Sequence, residues 1–395
     1  MTRPADIAFE WLDTERGVRQ FVEDALSFEW YCVDTEFHRE KTYFPQLALI
    51  QVAVGARIVL IDPLSVDPRL MEPLFAGPGT CILHAAQQDL DVFRQVCGFV
   101  PERIIDTQLC AGFIGYSQPS LSSLVQAFVK ITLPKGDRLS DWLRRPLSAD
   151  QRSYAASDVA HLEGIAHTLL RELDARGRRE WAMEACEELR VRPSGPVDPD
   201  DAWLRVKDVR TLKGRGRWVA KEVAMWREER AMAQDLPPRH VLSDIAVLGV
   251  AQKAPRTVDD LLQIRGVDGR HARGRAGDSL LDAVARGVQQ SASGELSFPA
   301  SDSDDLDRSM RPAVTLVSAW VTELARQSDL DAGLLGTRKD IVDLLSGAKD
   351  ARLRTGWRAD IVGRDIEDLV GGRKGLTFGT VGGVRGLRMV EVDPE

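Results

Sequence analysis

Three stretches near the start of the chain have the pattern of consecutive β-strands, and this pattern narrows the possible folds. Each is rich in β-branched, aromatic and aliphatic residues, and a Gly-Ala turn separates the second from the third. They are Trp30 to Phe37, Leu47 to Val54 and Arg57 to Ile61. Two shorter apolar stretches follow, Cys81 to Leu83 and Arg103 to Ile105, each ahead of a helical pattern. A meander followed by alternating strands and helices predicts an α/β fold with a mixed sheet.

The pattern becomes helical from Ser148 onward. Ser148 and Gln151 form a capping-box signature, and apolar residues then recur at helical spacing as far as Leu169. Helical patterns also fill most of the rest of the chain. The tail from Leu376 to Val392 is rich in Gly and Val, and its pattern fits either strand or irregular structure.

Two stretches have the composition of linkers. Val191 to Pro199 contains three prolines and a glycine, and Ser291 to Arg311 is rich in Ser and Asp with few large apolar residues. A chain of 395 residues is expected to form more than one domain, since domains usually hold roughly 100–200 residues. We therefore predict an α/β domain at residues 1–190 and two all-helical domains at residues 200–290 and 312–380.

Composition excludes several classes of protein. With 44% hydrophobic and 28% charged residues, the chain is typical of a globular protein. It has no apolar run near the ~20 residues of a membrane helix and no apolar core of a secretory signal at its N-terminus, so a cytoplasmic protein is expected. The five cysteines include no Cys-x-x-Cys pair, which argues against a zinc cage or a disulfide framework.

The charge is unevenly distributed along the chain. The net charge is −8, but residues 202–290 contain 17 Lys and Arg against 11 Asp and Glu, which makes this segment +6 and the remainder −14. A basic segment joined to an acidic one suggests a phosphate-binding module that serves a carboxylate-rich, metal-binding one. An ordinary solvated helical surface explains the same charge equally well.

Two carboxylates interrupt the first predicted strand. Asp34 and Glu36 lie two residues apart, so their side chains leave the same face of the strand. Their neighbours are mostly apolar, and paired carboxylates in such surroundings repel each other unless a cation joins them. Hard oxygen ligands of this kind suit Mg²⁺ or Mn²⁺. The alternative is a pair bonded to Arg or Lys on a neighbouring strand.

Three further residues have chemistry that would fit the same site. Tyr154 and Asp158 lie four residues apart on a predicted helix and hence on one face, although an Asp there is often only a solvated border. Asp89 follows the strand Cys81 to Leu83, where a negative charge at a helix N-terminus is the alternative explanation.

Taken together, these positions resemble the DEDD exonucleases, in the branch whose third motif carries tyrosine. The order is Asp-x-Glu on a first strand, Asp after a later strand, and Tyr-x-x-x-Asp on a helix. The surrounding residues are similar to the ribonuclease D family over about 160 residues. These motifs are Val33 to Phe37, Tyr43 to Gln51, His84-Ala85, Asp89-Leu90, Asp106 to Gln108, Asp141-Trp142, Arg145 to Leu147, Gln151 and Tyr154 to Val159.

This resemblance implies a ribonuclease H-like 3′→5′ exonuclease domain that uses two divalent metal ions, Mg²⁺ or Mn²⁺. It implies that Asp34 bridges both ions, that Glu36 and Asp158 hold the ion of the nucleophile, and that Asp89 serves the other ion. Tyr154 would orient the attacking water, because a phenol with an ordinary pKa near 10 is a poor general base. These five residues are the predicted catalytic residues, and the four carboxylates are the predicted metal ligands.

Four neighbouring polar residues are left out of the predicted site. The family pattern assigns no ligand role to His84, which is expected to be structural. Asp62, Asp106 and Asp141 each sit at a strand end or helix start, where Asp commonly caps.

Asp235 to Asp244 and Leu262 to Val267, in the first helical segment, resemble motifs of HRDC domains. Thr337 to Asp340 and Gly356 to Arg358, in the second helical segment, resemble the same family more divergently. The first helical segment contains a group of basic residues that we predict to contact nucleic-acid phosphates. They are Lys207, Lys213, Arg215, Arg217 and Lys221, with Arg210 among them. Packing domains that only brace the nuclease are the alternative.

The expected function is hydrolysis of RNA from its 3′ end, with release of 5′-mononucleotides. Precursor tRNA is the substrate that the resemblance implies, and no obligatory protein partner is evident. One alternative is an exonuclease of the same superfamily that prefers DNA, since no sequence motif reveals a contact to a 2′-hydroxyl. Another is a catalytically weak RNA-binding protein, which the presence of every expected acidic position disfavours.

Overall fold

The structure, a computed structural model, describes residues 7–133, 140–294, 296–298, 306–381 and 383–392. The second predicted linker is therefore covered in part, because its residues 295 and 299–305 lie outside the described residues.

A mixed sheet forms the centre of the first segment, as the sequence predicts, and it has six strands where five were predicted. Its order is β1-β4-β3-β2-β5-β6, with β2, β3 and β4 antiparallel and the remaining pairs parallel. The strands are β1 Glu10–Leu12, β2 Trp30–His38, β3 Gln46–Val54, β4 Arg57–Ile61, β5 Thr80–Leu83 and β6 Ile104–Asp106. Only β1 was not predicted, because it is short and, unlike the equally short β6, begins with a charged residue and shows no run of β-branched residues.

Among the described residues of the first segment, eight α-helices accompany this sheet. They are α1 Glu15–Ala25, α2 Glu72–Ala76, α3 Gln87–Val96, α4 Thr107–Gly112, α5 Leu121–Leu124, α6 Ala149–Val159, α7 Leu162–Ala175 and α8 Arg179–Val191. The predicted capping box is present, since the Ser148 hydroxyl accepts from the Gln151 amide and the Gln151 side chain accepts from the Ser148 amide. The helical pattern that continues to Leu169 is divided between α6 and α7, which are separate helices.

The second segment is helical and has its own hydrophobic core. Its helices are α9 Arg215–Gln234, α10 Pro238–Val241, α11 Asp244–Lys253, α12 Val258–Leu262, α13 Gly269–Ala272 and α14 Gly274–Gln290. The core contains residues between Ala202 and Val284. Tyr43 of the first segment packs against this core, so the two segments are in direct contact.

The third segment is helical and ends in a β-hairpin. Its helices are α15 Arg311–Gln327, α16 Ala332–Leu335, α17 Arg338–Ser346, α18 Gly356–Arg358 and α19 Arg364–Val370. The Gly- and Val-rich tail forms the antiparallel strands β7 Lys374–Val381 and β8 Val384–Glu391, which resolves the alternative left open by its pattern.

The third segment shares one hydrophobic core with the first. The ring of Trp357 stacks on Trp181 with centroids 5.2 Å apart and meets Phe113 edge-on at 5.3 Å. Arg358, which is 1% exposed, donates a 2.8 Å hydrogen bond to Glu188 on α8. The predicted domain limits stay a prediction, but this packing ties the third segment closely to the sheet domain.

Within the described residues, no helix is long and apolar enough to cross a lipid bilayer. The five cysteines are all buried and unbridged.

Candidate active site

The end of β2 projects two carboxylates beyond the neighbouring strand. β2 pairs with β5 only as far as Cys32, so Asp34 and Glu36 lie past the end of β5. Both side chains leave the face of the sheet that α6 covers, as alternation along the strand requires. The register between β2 and β3 shifts between Glu36 and Phe37, which makes a bulge beside the second carboxylate.

An arginine fixes the segment that leads into α6. Arg145 donates two hydrogen bonds to Asp62, at 2.9 and 2.7 Å, and a third of 2.6 Å to the carbonyl of Ala48 on β3. Another of 2.7 Å goes to the carbonyl of Trp142. Because this segment ends at the cap of α6, these bonds help to set where α6 crosses the sheet.

Helix α6 brings Tyr154 and Asp158 to the carboxylates of β2. Carboxylate oxygens of Asp34, Glu36 and Asp158 all lie within 4.8 Å of one another, and all three residues are half-buried. Asp34 and Asp158 are 124 positions apart in sequence, so only the packing of α6 on the sheet brings them together. Three oxygen ligands at this spacing can hold one divalent cation.

Asp89 approaches the same strand from α3, outside that group of three. Its carboxylate accepts a 2.5 Å hydrogen bond from the hydroxyl of Thr35, the residue between Asp34 and Glu36. Asp89 is 6% exposed and lies in the first turn of α3. The structure therefore places all four predicted carboxylates around one strand end, with Asp89 on the side of Thr35.

Each carboxylate of the site disfavours the ionised form of its neighbours and so raises their pKa values. Burial, followed by the charges of Asp89, Asp158 and Glu36, raises the pKa of Asp34 well above its usual range. Burial and the charges of Asp158 and Asp89 raise the pKa of Glu36 to about 8. Burial raises the pKa of Asp89 to about 7, although the hydrogen bond from Thr35 opposes this. A cluster of acids that resists ionisation in this way gains most from a bound cation.

The hydroxyl of Tyr154 points at the same cluster. Burial and the charges of Asp158, Glu36 and Asp34 raise the pKa of Tyr154 above its usual value, and a hydrogen bond to Asp158 acts in the same direction. The phenol is therefore a hydrogen-bond donor at neutral pH. Its ring lies 6.1 Å from that of Trp142, which holds it in place.

The donor set fits a hard divalent cation. All the candidate ligands are carboxylate oxygens, and no thiol or imidazole belongs to the group found among the described residues. Oxygen-only ligands of this kind are typical of Mg²⁺ and Mn²⁺ sites.

Gln51 is a polar feature that the sequence reasoning did not single out. It is fully buried on β3 directly opposite Asp34, and neither end of its amide has a hydrogen-bond partner among the described residues. An unsatisfied buried polar group costs about 1–3 kcal/mol. The available signal was one amide within the otherwise apolar run Leu47 to Val54.

The four polar residues left out of the predicted site have local partners. Asp62 binds Arg145, and Asp106 caps α4 by accepting from the amides of Gln108 and Leu109. Asp141 and His84 also have neighbours within hydrogen-bond distance. The carboxylate of Asp141 accepts from the amide of Leu143, and Nδ1 of His84 lies 2.9 Å from the hydroxyl of Thr107.

The predicted phosphate-binding residues differ in their surroundings. Lys207, Lys213 and Arg215 are exposed. Lys221 forms a 2.8 Å ion pair with Asp200, and Arg217 donates to the carbonyls of Leu212 and Leu296. The guanidinium groups of Arg217 and Arg210 lie 4.9 Å and 5.1 Å, respectively, from the centroid of the Phe298 ring. The first three therefore remain the more accessible candidates.

Two parts of the chain match known protein families. Residues 9–174 match the family described as 3′-5′ exonuclease, and residues 217–284 match the HRDC domain. The chain is 36% identical to the ribonuclease D of Jannaschia sp. (strain CCS1), over 89% of this chain and 92% of that protein. It is 33% identical to the ribonuclease D of Acidiphilium cryptum (strain JF-5), over 97% and 96%.

Its fold is also similar to a crystal structure of Escherichia coli RNase D. The TM-score is 0.84 at 29% identity, and the alignment covers 92% of this chain and 99% of that one. The similarity thus extends through the sheet domain and both helical segments. The chain belongs to the ribonuclease D family and is a 3′→5′ exoribonuclease.

Proposed function

We propose that this exoribonuclease cleaves RNA with two divalent cations held by Asp34, Glu36, Asp89 and Asp158. The observation that carries the proposal is the approach of oxygens from Asp34, Glu36 and Asp158 to within 4.8 Å, with Asp89 bound to Thr35 beside them. Asp34 is the proposed shared ligand by resemblance to the family, and its position on β2 between Asp158 on α6 and the strand end that Asp89 approaches supports this role.

The cations would stabilise charge on both the attacking and the leaving oxygen and lower the pKa of a bound water. Mg²⁺ is the proposed ion, with Mn²⁺ as a substitute. The fold of the chain positions the ligands of these cations: β2 holds Asp34 and Glu36 on one face, and α6 brings Asp158 to them. Tyr154 donates a hydrogen bond that orients the attacking water, and its raised pKa favours this role over proton abstraction.

The proposed substrate is an RNA with a structured body and a single-stranded 3′ tail, of which a tRNA precursor is an example. The E. coli relative is described as an exoribonuclease involved in structured RNA processing, which supports this class. The exposed Lys207, Lys213 and Arg215 would contact phosphates of the body, which adds affinity without sequence preference. Release of 5′-mononucleotides and a cytoplasmic location stay predictions.

The test is digestion of matched RNA and DNA oligonucleotides labelled at either end, with and without Mg²⁺. A 5′-labelled RNA should shorten stepwise while a 3′-labelled one releases a labelled mononucleotide at once, and chelation should stop both. Calorimetric titration with Mn²⁺ should give two ions per chain. Faster digestion of DNA would overturn the RNA preference, and a stoichiometry of one would overturn the two-ion site.

A further inference from the structure

We propose that the HRDC module positions the loop between β2 and β3 beside the carboxylate site, and so contributes to turnover itself as well as to RNA affinity. The HRDC module here means helices α9 to α14 with their connections, and the β2–β3 loop means residues 39–45. The inference rests on the carboxylate site proposed above. It assigns Asp235, at the end of α9, as a positioning residue.

Three hydrogen bonds join the module to the tip of the loop. One carboxylate oxygen of Asp235, Oδ1, accepts from the backbone amides of both Tyr43 and Phe44, each at 3.0 Å. The hydroxyl of Tyr43 donates a 2.6 Å bond to Oε1 of Glu228 on α9. Bonds to a charged acceptor are stronger than neutral ones, and here one carboxylate oxygen holds two consecutive backbone amides of the loop.

The contact is also partly buried. The Tyr43 ring packs against the hydrophobic core of the HRDC module, and the Phe44 ring meets it edge-on with centroids 5.0 Å apart. Glu228 is only 4% exposed, so the Tyr43 hydroxyl donates to a carboxylate that is largely withdrawn from water. Asp235 has a left-handed backbone with φ of 49°, a conformation that few residues other than Gly, Asn and Asp adopt readily.

The loop is continuous with the strand that carries the site. Glu36 stands at the bulge where the β2–β3 register shifts, and His38 forms the last strand pair before the loop, with Gln46. Nε2 of His38 accepts a 3.1 Å hydrogen bond from the amide of Trp142, in the segment that leads to α6. A shift of the loop therefore reaches β2 and the segment ahead of α6, which are two of the three elements that supply carboxylates. Small misplacements of catalytic groups slow turnover steeply.

A purely structural interface predicts something different. If the module only braced the nuclease or bound RNA, releasing the loop would leave kcat on a very short substrate unchanged. A trinucleotide is the useful probe, because it has few phosphates that Lys207, Lys213 and Arg215 could contact.

The decisive variant of the full-length chain is Asp235→Gly, which removes the acceptor while glycine keeps the left-handed backbone at no strain. Asp208→Gly is the matched control, since Asp208 also has a positive φ, of 62°, in the same segment and its side chain makes no capping hydrogen bond. Asp235→Asn keeps Oδ1 and is the conservative variant. Asp158→Asn, assayed alongside, reports on the carboxylate site.

We expect Asp235→Gly to lower kcat on the trinucleotide on the order of tenfold, with less than a twofold change in KM. Asp208→Gly and Asp235→Asn should stay within about twofold of the parent. Hydrogen exchange, a readout independent of activity, should show faster exchange at the Tyr43 and Phe44 amides in Asp235→Gly alone.

If Asp235→Gly leaves kcat or the exchange of the Tyr43 and Phe44 amides unchanged, the positioning role is overturned. If Asp158→Asn is inactive in the same assay, the proposed carboxylate site still stands. Full activity of Asp158→Asn overturns both.

Discussion

Replacing Tyr154 with phenylalanine isolates one hydroxyl within the site. The ring keeps its packing near Trp142, with the two centroids 6.1 Å apart, so the variant should fold normally. What is lost is the donor that meets Asp158 in this structure and that we propose orients the attacking water. The carboxylates stay in place, so cation binding should change little.

The size of the effect follows from the kind of bond removed. A hydrogen bond to a charged or strongly polarised group contributes about 1.5–3 kcal/mol. At about 1.4 kcal/mol for each factor of ten in rate, kcat should fall roughly 10–150-fold. KM should change little, because the hydroxyl faces the reacting water rather than the body of the RNA.

The assay combines turnover with cation binding. Single-turnover rates on a 5′-labelled RNA give the chemical step, and calorimetric titration with Mn²⁺ gives stoichiometry and affinity. Tyr116→Phe is the matched control, since it removes a hydroxyl from a ring that packs on Phe128. Loss of cation binding by Tyr154→Phe, or a rate equal to that of the control, would refute the orienting role.

Three further predictions concern ligands, cations and an ion pair. Asp34→Asn and Asp158→Asn should each lower kcat by about 10³-fold or more, while RNA affinity in a filter-binding assay stays near that of the parent. Mg²⁺ or Mn²⁺ should raise the melting temperature, with about 2.7 kcal/mol of stabilisation at 100 times the Kd; a melting temperature indifferent to cations would contradict a metal site. Arg145→Met should destabilise the chain by about 3 kcal/mol in urea, because it leaves the buried Asp62 carboxylate without its partner. Burial favours the protonated form of Asp62, but the hydrogen bonds and charge of Arg145, together with the hydrogen bonds from Leu64 and Ser65, outweigh burial and lower the pKa of Asp62. The stabilisation is therefore present above the ordinary pKa near 3.9 and is lost as pH falls through the lower pKa of the folded chain. The difference between parent and variant should thus shrink from pH 6 towards pH 3.

Local features of the site were predictable because they depend on short-range geometry. Alternation along a strand places Asp34 and Glu36 on one face, and the helical repeat places Tyr154 and Asp158 on another. The capping box of Ser148 follows from sequence for the same reason. Resemblance to a family then supplied the grouping of these residues, which no local pattern contains.

Other features depend on contacts between distant parts of the chain. The hydrogen bond from the Tyr43 amide to Asp235 joins residues 192 positions apart, and no local sequence pattern near either residue predicts it. The interface between the third segment and the sheet domain, where Trp357 contacts Phe113 and Trp181, was likewise not predictable from local sequence. The sequence shows a linker before the third segment but not which surface that segment covers.

The sequence by itself determined the alternation of strands and helices, the faces that carry the carboxylates and the acidic character of the site, because periodicity and charge are properties of neighbouring residues. Only the tertiary structure decided that Asp158 reaches Asp34 and Glu36 and that Asp89 binds Thr35, because these distances depend on how α6 and α3 pack on the sheet. It also decided that the HRDC module holds the β2–β3 loop. The same local patterns would allow many arrangements of the helices and strands. Packing selects one of them, because burial of apolar surfaces that fit together lowers the free energy of the folded state.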